Sequence, residues 1–190
     1  MAMLHLIIPA FWLLFTVYWV VSAGFAKRSV GGPTKWKQVA IRFCILVLIV
    51  IALSSATLRH GMRVAQAYQS GHALMAAIGI VLVALGLALA ICARIRLGRN
   101  WGMPMTQRED PELITGGPYA YVRHPIYSGI IVAMVGSTIG NSIVWALPLV
   151  LFGAYFIYSA RREEEVMCRQ FPQSYPAYMR RTYMLVPYVL

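Results

Sequence analysis

Apolar stretches of bilayer length at residues 3–25, 41–58 and 73–93 dominate the first half of this chain. Each is close to the ~20 residues a helix needs to cross a hydrocarbon core. Lipid offers no partner for backbone N–H and C=O groups, so such runs must satisfy themselves as helices. A further apolar stretch, 126–160, is interrupted by Gly140-Asn141-Ser142 and then by Pro148. That interruption predicts a tight helical hairpin whose first arm is about 15 residues, or roughly 22 Å. The composition is 59% hydrophobic and 12% charged, with a mean hydropathy of +0.65, too apolar for the surface of a soluble domain. The expected fold is therefore an all-α integral membrane protein of about five transmembrane helices, the last two forming the hairpin.

The net charge of +11 would suggest nucleic acid in a soluble chain. Here the basic residues lie between apolar runs, where they set orientation and attract anionic headgroups, and no nucleic-acid partner is expected. Lys27, Arg28, Lys35, Lys37 and Arg42 follow the first run, Arg94, Arg96, Arg99, Arg108 and Arg123 follow the third, and Arg161, Arg162, Arg169, Arg180 and Arg181 follow the hairpin. Only Arg59 and Arg63 fall on the other side. The asymmetry predicts a multi-pass protein with its N-terminus outside and its C-terminus cytoplasmic. The first run lacks a basic leader and a cleavage signal, and is expected to be a retained helix. Cys44 and Cys92 sit inside apolar runs and Cys168 just after one, without metal-ligand spacing, so packing is their expected role.

Two polar clusters remain to be explained. Gly117-Pro118-Tyr119-Ala120-Tyr121-Val122-Arg123-His124-Pro125-Ile126-Tyr127-Ser128-Gly129 leads into the hairpin, and Arg161-Arg162-Glu163-Glu164-Glu165 follows it. A hairpin leaves and returns on one side, so His124 and Glu163 are expected at the same membrane face. Ordinary explanations exist for each piece: a solvated helix end with local Arg–Glu pairs, a helix start at His124-Pro125, an aromatic belt containing Tyr121. Their convergence on one face points instead to a shared site.

The motifs Leu97-Gly98-Arg99-Asn100-Trp101, Leu113-Ile114-Thr115-Gly116-Gly117-Pro118-Tyr119, Arg123-His124-Pro125-Ile126-Tyr127-Ser128-Gly129 and Glu163-Glu164, followed by Phe171, Tyr175 and Tyr178, resemble those of the isoprenylcysteine carboxyl methyltransferase family and its phospholipid-methyltransferase relatives. The likeness covers about 97–187. Pro172 stands where the pattern usually has glycine, and Ser159 where some members carry arginine.

The resemblance implies an S-adenosylmethionine-dependent membrane methyltransferase whose cofactor pocket is formed by the loop 94–124 and the C-terminal tail on the cytosolic side. It divides the chain into three N-terminal helices, 1–93, and a methyltransferase core, 94–190, built as one integrated domain. Glu163, with Glu164, suits the cofactor's ammonium and His124 its carboxylate. Tyr119 and Tyr127 would wall the adenosine, Leu113 and Ile114 would give backbone contacts, and Pro125 and Ile126 complete the cofactor-binding set. No metal is implied. The implied acceptor is a lipophilic small molecule or prenylated species with a carboxylate, entering from the membrane lipids. An ionised carboxylate needs alignment and desolvation rather than a general base. Arg123, Arg162 and Arg169, with Arg161, are the candidates for holding it. The alternatives are a phospholipid or amine N-methyltransferase, an NADPH-dependent membrane reductase and a non-catalytic membrane protein. The sequence leaves the acceptor and the oligomeric state open.

Overall fold

A computed structural model of the chain describes residues 4–23, 73–101, 112–141 and 143–187. The described part is helical: α1 (Leu4–Ala23), α2 (Ala73–Leu97), α3 (Pro125–Gly140), α4 (Ala146–Gln170) and the short α5 (Ser174–Met179), with single 3-10 turns at Gly98–Asn100, Gly117–Ala120 and Ile143–Trp145. Among these residues the only strand-like feature is an isolated parallel bridge between Val122 and Tyr183. The expected second span, 41–58, lies outside the described residues.

Two stretches, Ala73–Leu97 of 25 residues and Ile143–Gln170 of 28, are long and apolar enough to cross a membrane. The apolar parts of α1 (Ile7–Ser22) and α3 are shorter. At 16 residues α3 reaches about 24 Å, close to the short first arm that the interruption at Gly140 predicts. Leu13, Leu14, Val17, Val20 and Val21 of α1 and Leu147, Val150 and Leu151 of α4 stand exposed, as lipid-facing side chains would. Pro148 does not break a helix: it sits in the first turn of α4, where its missing N–H is not needed.

What holds α2 against α3 is the absence of side chains. A Cβ on Gly79 would stand 2.3 Å from Gly140 Cα, and one on Gly86 would stand 2.5 Å from the Gly129 carbonyl oxygen. Reciprocally, a Cβ on Gly129 would meet Gly86 O at 2.4 Å and one on Gly136 would meet Gly79 O at 2.7 Å. The glycines recur two turns apart on each helix and match in antiparallel order. Apolar lipid gives helices no hydrophobic reason to associate, so close backbone approach and dispersion must supply the attraction. The pattern is visible in the sequence, as Gly79/Gly86 against Gly129/Gly136, but the sequence reading passed over it.

α1 attaches through polar and aromatic contacts. Trp12 Nε1 donates to Ser137 Oγ at 2.9 Å, and its ring stacks on Trp145 with centroids 5.6 Å apart. At the other end of α1, the buried Arg94 donates to the Ser22 carbonyl at 2.6 Å and to the Gly98 carbonyl at 2.8 Å, with its guanidinium 4.5 Å over the Trp101 ring. These contacts fix the end of α2 from which the polar segment departs.

Gly86→Val should overpack the α2–α3 seam and lower stability by about 1–3 kcal/mol, read as a lower unfolding temperature in detergent. Gly153→Ala is the control, because nothing stands within 4 Å of a Cβ there. Equal melting of both variants and the parent would show that the seam does not hold the helices.

Candidate active site

At the open end of the hairpin the buried stripe of α4 turns from apolar to charged. Phe156, Ser159 and Ala160 are followed on the same face by Glu164, as the 3.6-residue period requires. Across from them, His124 is the N-cap of α3 and Pro125 its first residue, the position where proline costs a helix nothing.

The cluster that results is tight. Arg123 Nε donates to Glu164 Oε1 at 2.5 Å, with side-chain exposures of 9% and 11%. His124 Nδ1 lies 3.5 Å from Glu163 Oε2, and its Nε2 lies 3.4 Å from Glu164 Oε1 without the alignment of a hydrogen bond. Tyr127 OH donates to Glu163 Oε1 at 2.5 Å. The Tyr127 ring is sandwiched, stacking on His124 at 5.6 Å and on Phe156 at 4.7 Å. His124 and Glu163 thus share one face, as the hairpin implies.

Burial opposes the charged form of His124, but the adjacent Glu163 and Glu164 carboxylates overcome it and raise its pKa above the ordinary 6.5. The two carboxylates thus favour the protonated imidazole. Tyr178 donates to the Tyr119 carbonyl at 2.6 Å. Burial pushes the Tyr178 phenol up to about 12 and the Tyr119 phenol higher still, so both stay neutral.

The remaining candidates fall into three groups. Tyr119 is buried and packs with Ile126 and Ala93, with Ile114 against them; Gly117, at φ +66°, makes the turn that carries Tyr119 inward. Leu113 is partly buried in the extended stretch before that turn, which Asn100 Nδ2 ties to the end of α2 by donating to Glu112 Oε2 at 3.3 Å. Arg162 and Arg169 stand exposed, Arg162 paired with Glu165 at 3.0 Å. The structure therefore gathers His124, Tyr127, Glu163, Glu164 and Arg123, and leaves Arg162 and Arg169 outside that cluster.

Phe156 escaped the sequence reading, and the C-terminal tail, expected to help form the pocket, was not narrowed to Thr182–Tyr183–Met184–Leu185. Phe156 precedes Glu163 by two turns on one face of α4, so the helical period contained its signal. The tail carries no motif that would have marked it.

The chemistry of the donors fits an amino-acid-like zwitterion. Glu163, the more accessible carboxylate at 25% side-chain exposure, suits an ammonium. The His124 Nε2 group is buried and lies 3.4 Å from Glu164 Oε1 without an aligned hydrogen bond, so it keeps a donor that suits an anion. Ser159 Oγ, one turn before Glu163, is likewise buried and unbonded.

A family model described as phospholipid methyltransferase matches residues 74–174. Protein-S-isoprenylcysteine O-methyltransferase B of Arabidopsis thaliana is 30% identical over 115 residues, 58% of each chain. The nickel-cobalt-cadmium resistance protein NccN of Alcaligenes xylosoxydans xylosoxydans is 35% identical over 94 residues, 48% of this chain and 44% of its own. The chain spans about half the length of these curated relatives. In fold it is similar to the solved eukaryotic intramembrane Ras methyltransferase ICMT, with a TM-score of 0.55 and 20% identity over 84% of this chain and 55% of that one.

The raised pKa makes a stability prediction with a definite sign. A proton bound more tightly in the folded chain stabilises it fully below 6.5, and that stabilisation is lost as pH rises through the elevated folded value. The unfolding temperature in detergent should fall as pH rises above 6.5, and His124→Gln should flatten that part of the profile. An identical slope in the variant would show that His124 is not the titrating group.

Proposed function

The chain belongs to the phospholipid methyltransferase family, and we propose that it is an S-adenosylmethionine-dependent membrane methyltransferase acting on a lipophilic acceptor. The observation that carries this is the pairing of Glu163 with His124, whose protonated form the neighbouring carboxylates favour, where the apolar hairpin opens. One carboxylate and one cation there match the two charges of the cofactor's amino-acid end. The bound cofactor would supply an activated methyl on a sulfonium.

In this reading Glu163 meets the ammonium, and Tyr127, bonded to it, fixes its orientation. His124 meets the carboxylate through Nε2. Tyr119, Leu113, Ile114, Pro125 and Ile126 wall the remainder, and the Tyr127–Phe156 stack excludes water from the apolar side. The catalytic core is 94–190. The N-terminal helices complete a five-segment bundle with the N-terminus outside and the site cytoplasmic, in keeping with the basic-residue asymmetry.

The favoured acceptor is a prenylcysteine-like carboxylate, for two reasons. Relatives bear the name protein-S-isoprenylcysteine O-methyltransferase, and an ionised carboxylate needs no general base. Arg123 is committed to its ion pair with Glu164, and Glu163 and His124 are assigned to the cofactor, so none of them is a ready base. Because Arg123 is taken up by Glu164, the exposed Arg162 or Arg169 holds the acceptor carboxylate. Amine N-methylation is the second reading, supported by the description of the family model.

Methyl transfer to a farnesylated thioacid should exceed transfer to its unprenylated counterpart by at least about tenfold, since burying a prenyl chain is worth about 0.8 kcal/mol per CH₂. Equal turnover would rule out entry from the lipid side, and transfer to phosphatidylethanolamine alone would favour the amine reading. With Cys44, Cys92 and Cys168 replaced by alanine, Thr115→Cys and Gln173→Cys should both label from the cytoplasmic side. Labelling from opposite sides would break the proposed topology.

A further inference from the structure

Glu163 and Glu164 are neighbours in sequence and differ in what surrounds them. Glu163 is partly exposed and touched by Tyr127 and His124. Glu164 is buried and bonded by Arg123, with His124 Nε2 3.4 Å from the same oxygen. The same Arg123 guanidinium donates through Nη1 to the Met179 carbonyl at 3.3 Å and to the Thr182 carbonyl, both beyond α4 in the C-terminal tail. The tail then runs beside the segment that carries His124. Arg123 N–H donates to Tyr183 O at 2.8 Å, His124 N–H to Met184 O at 3.1 Å and Tyr183 N–H to Tyr121 O at 3.1 Å. Ser128 Oγ closes the far end on the Leu185 carbonyl at 2.5 Å, and Met184 and Leu185 pack on Ala160 of α4.

We propose that Glu164 and Arg123 are positioning residues rather than ligands: together they latch the tail 182–185 onto 121–124 and so set where His124 stands, leaving Glu163 as the carboxylate that meets the cofactor. The assignment of Glu163 rests on the methyltransferase reading, whereas the latch does not. A guanidinium is suited to the latch because its planar fork can serve a carboxylate and two carbonyls from one position. It is unsuited to seizing an acceptor at the same time. A buried carboxylate already neutralised by a guanidinium is likewise a poor partner for an incoming ammonium, because the pair must first be broken in a low-dielectric setting.

Hydrogen exchange and cofactor titration on the full-length protein in detergent separate the two roles. Glu164→Gln should speed exchange of the Arg123, His124 and Tyr183 amides and weaken S-adenosylmethionine binding by roughly tenfold or less. Glu163→Gln should leave those amides protected and weaken binding by roughly tenfold to a hundredfold. The pH profile adds a readout that loss of packing alone would not move. Around His124 stand Glu163 and Glu164 from α4, Tyr127 from α3, Arg123 on its own segment and the Met184 carbonyl of the tail. Removing one of the two carboxylates should make cofactor affinity decline at a lower pH in Glu164→Gln than in the parent, whereas loosened packing would lower affinity evenly across pH.

Arg123→Lys guards against a variant that does not fold: it keeps a charge for Glu164, loses the fork onto two carbonyls, and should free the same three amides. Should Glu164→Gln lose as much affinity as Glu163→Gln while all three amides stay protected, Glu164 is a direct ligand and the proposal fails. Unchanged exchange in both Glu164→Gln and Arg123→Lys also overturns it. If the parent binds no S-adenosylmethionine, the methyltransferase reading fails, while the exchange data still decide the latch.

Discussion

The Arg123–Glu164 ion pair closes the mouth of an apolar helical hairpin, and the arrangement of the site depends on it. Moving either charge alone out of water would cost several kcal/mol, and removing one partner from such a pair typically costs about 3–5 kcal/mol. The pair persists because the guanidinium also satisfies two tail carbonyls, so little of its hydrogen-bonding capacity is wasted. α3, α4 and the C-terminal tail are thereby fixed to one another at the point where His124 and Glu163 meet. Helix packing by itself would not do this. The glycine seam sets the distance between α2 and α3, but dispersion between smooth backbones leaves the rotation of side chains at the helix ends loosely specified.

This arrangement separates two tasks that a polar site in a membrane must perform. One set of charges is buried and mutually satisfied, and gives geometry. The other is the partly exposed Glu163, which the proposed reading assigns, with the unaligned Nε2 donor of His124, to a charged ligand. Tyr127 joins the two, bonded to Glu163 and stacked between His124 and Phe156, so the polar groups and the apolar wall move as a unit. In the proposed reading, a zwitterionic cofactor arriving from the aqueous side and a lipophilic acceptor arriving from the bilayer meet at this one boundary without either crossing the other's medium.

Much of the helical framework was legible in the sequence, because lipid leaves few choices: a run of apolar residues must be a helix, and Gly140-Asn141 must turn it. The meeting of His124 with Glu163 followed from the hairpin alone. The contrast between Glu163 and Glu164 did not. Adjacent helical residues point about 100° apart, and which one faces inward depends on the rotation of α4, which a string of three glutamates does not reveal. From the sequence Arg123 is a candidate for holding the acceptor, because an arginine at a membrane face has many uses; its two carbonyl partners lie in a tail whose path no local pattern dictates. Phe156 was legible in principle from the helical period, and Thr182 to Leu185 were not, since their pairing with 121–124 is a long-range backbone contact.

The most direct test of the site compares S-adenosylhomocysteine with its analogue lacking the amino group, titrated calorimetrically into the parent protein and Glu163→Gln. If Glu163 meets the ammonium, the parent should bind S-adenosylhomocysteine at least about tenfold more tightly than the deaminated analogue, one charge-assisted hydrogen bond being worth about 1.5–3 kcal/mol. That preference should collapse in Glu163→Gln. A preference that survives the substitution undiminished, or a parent that does not distinguish the two compounds, would contradict the assignment of Glu163 as the ammonium partner.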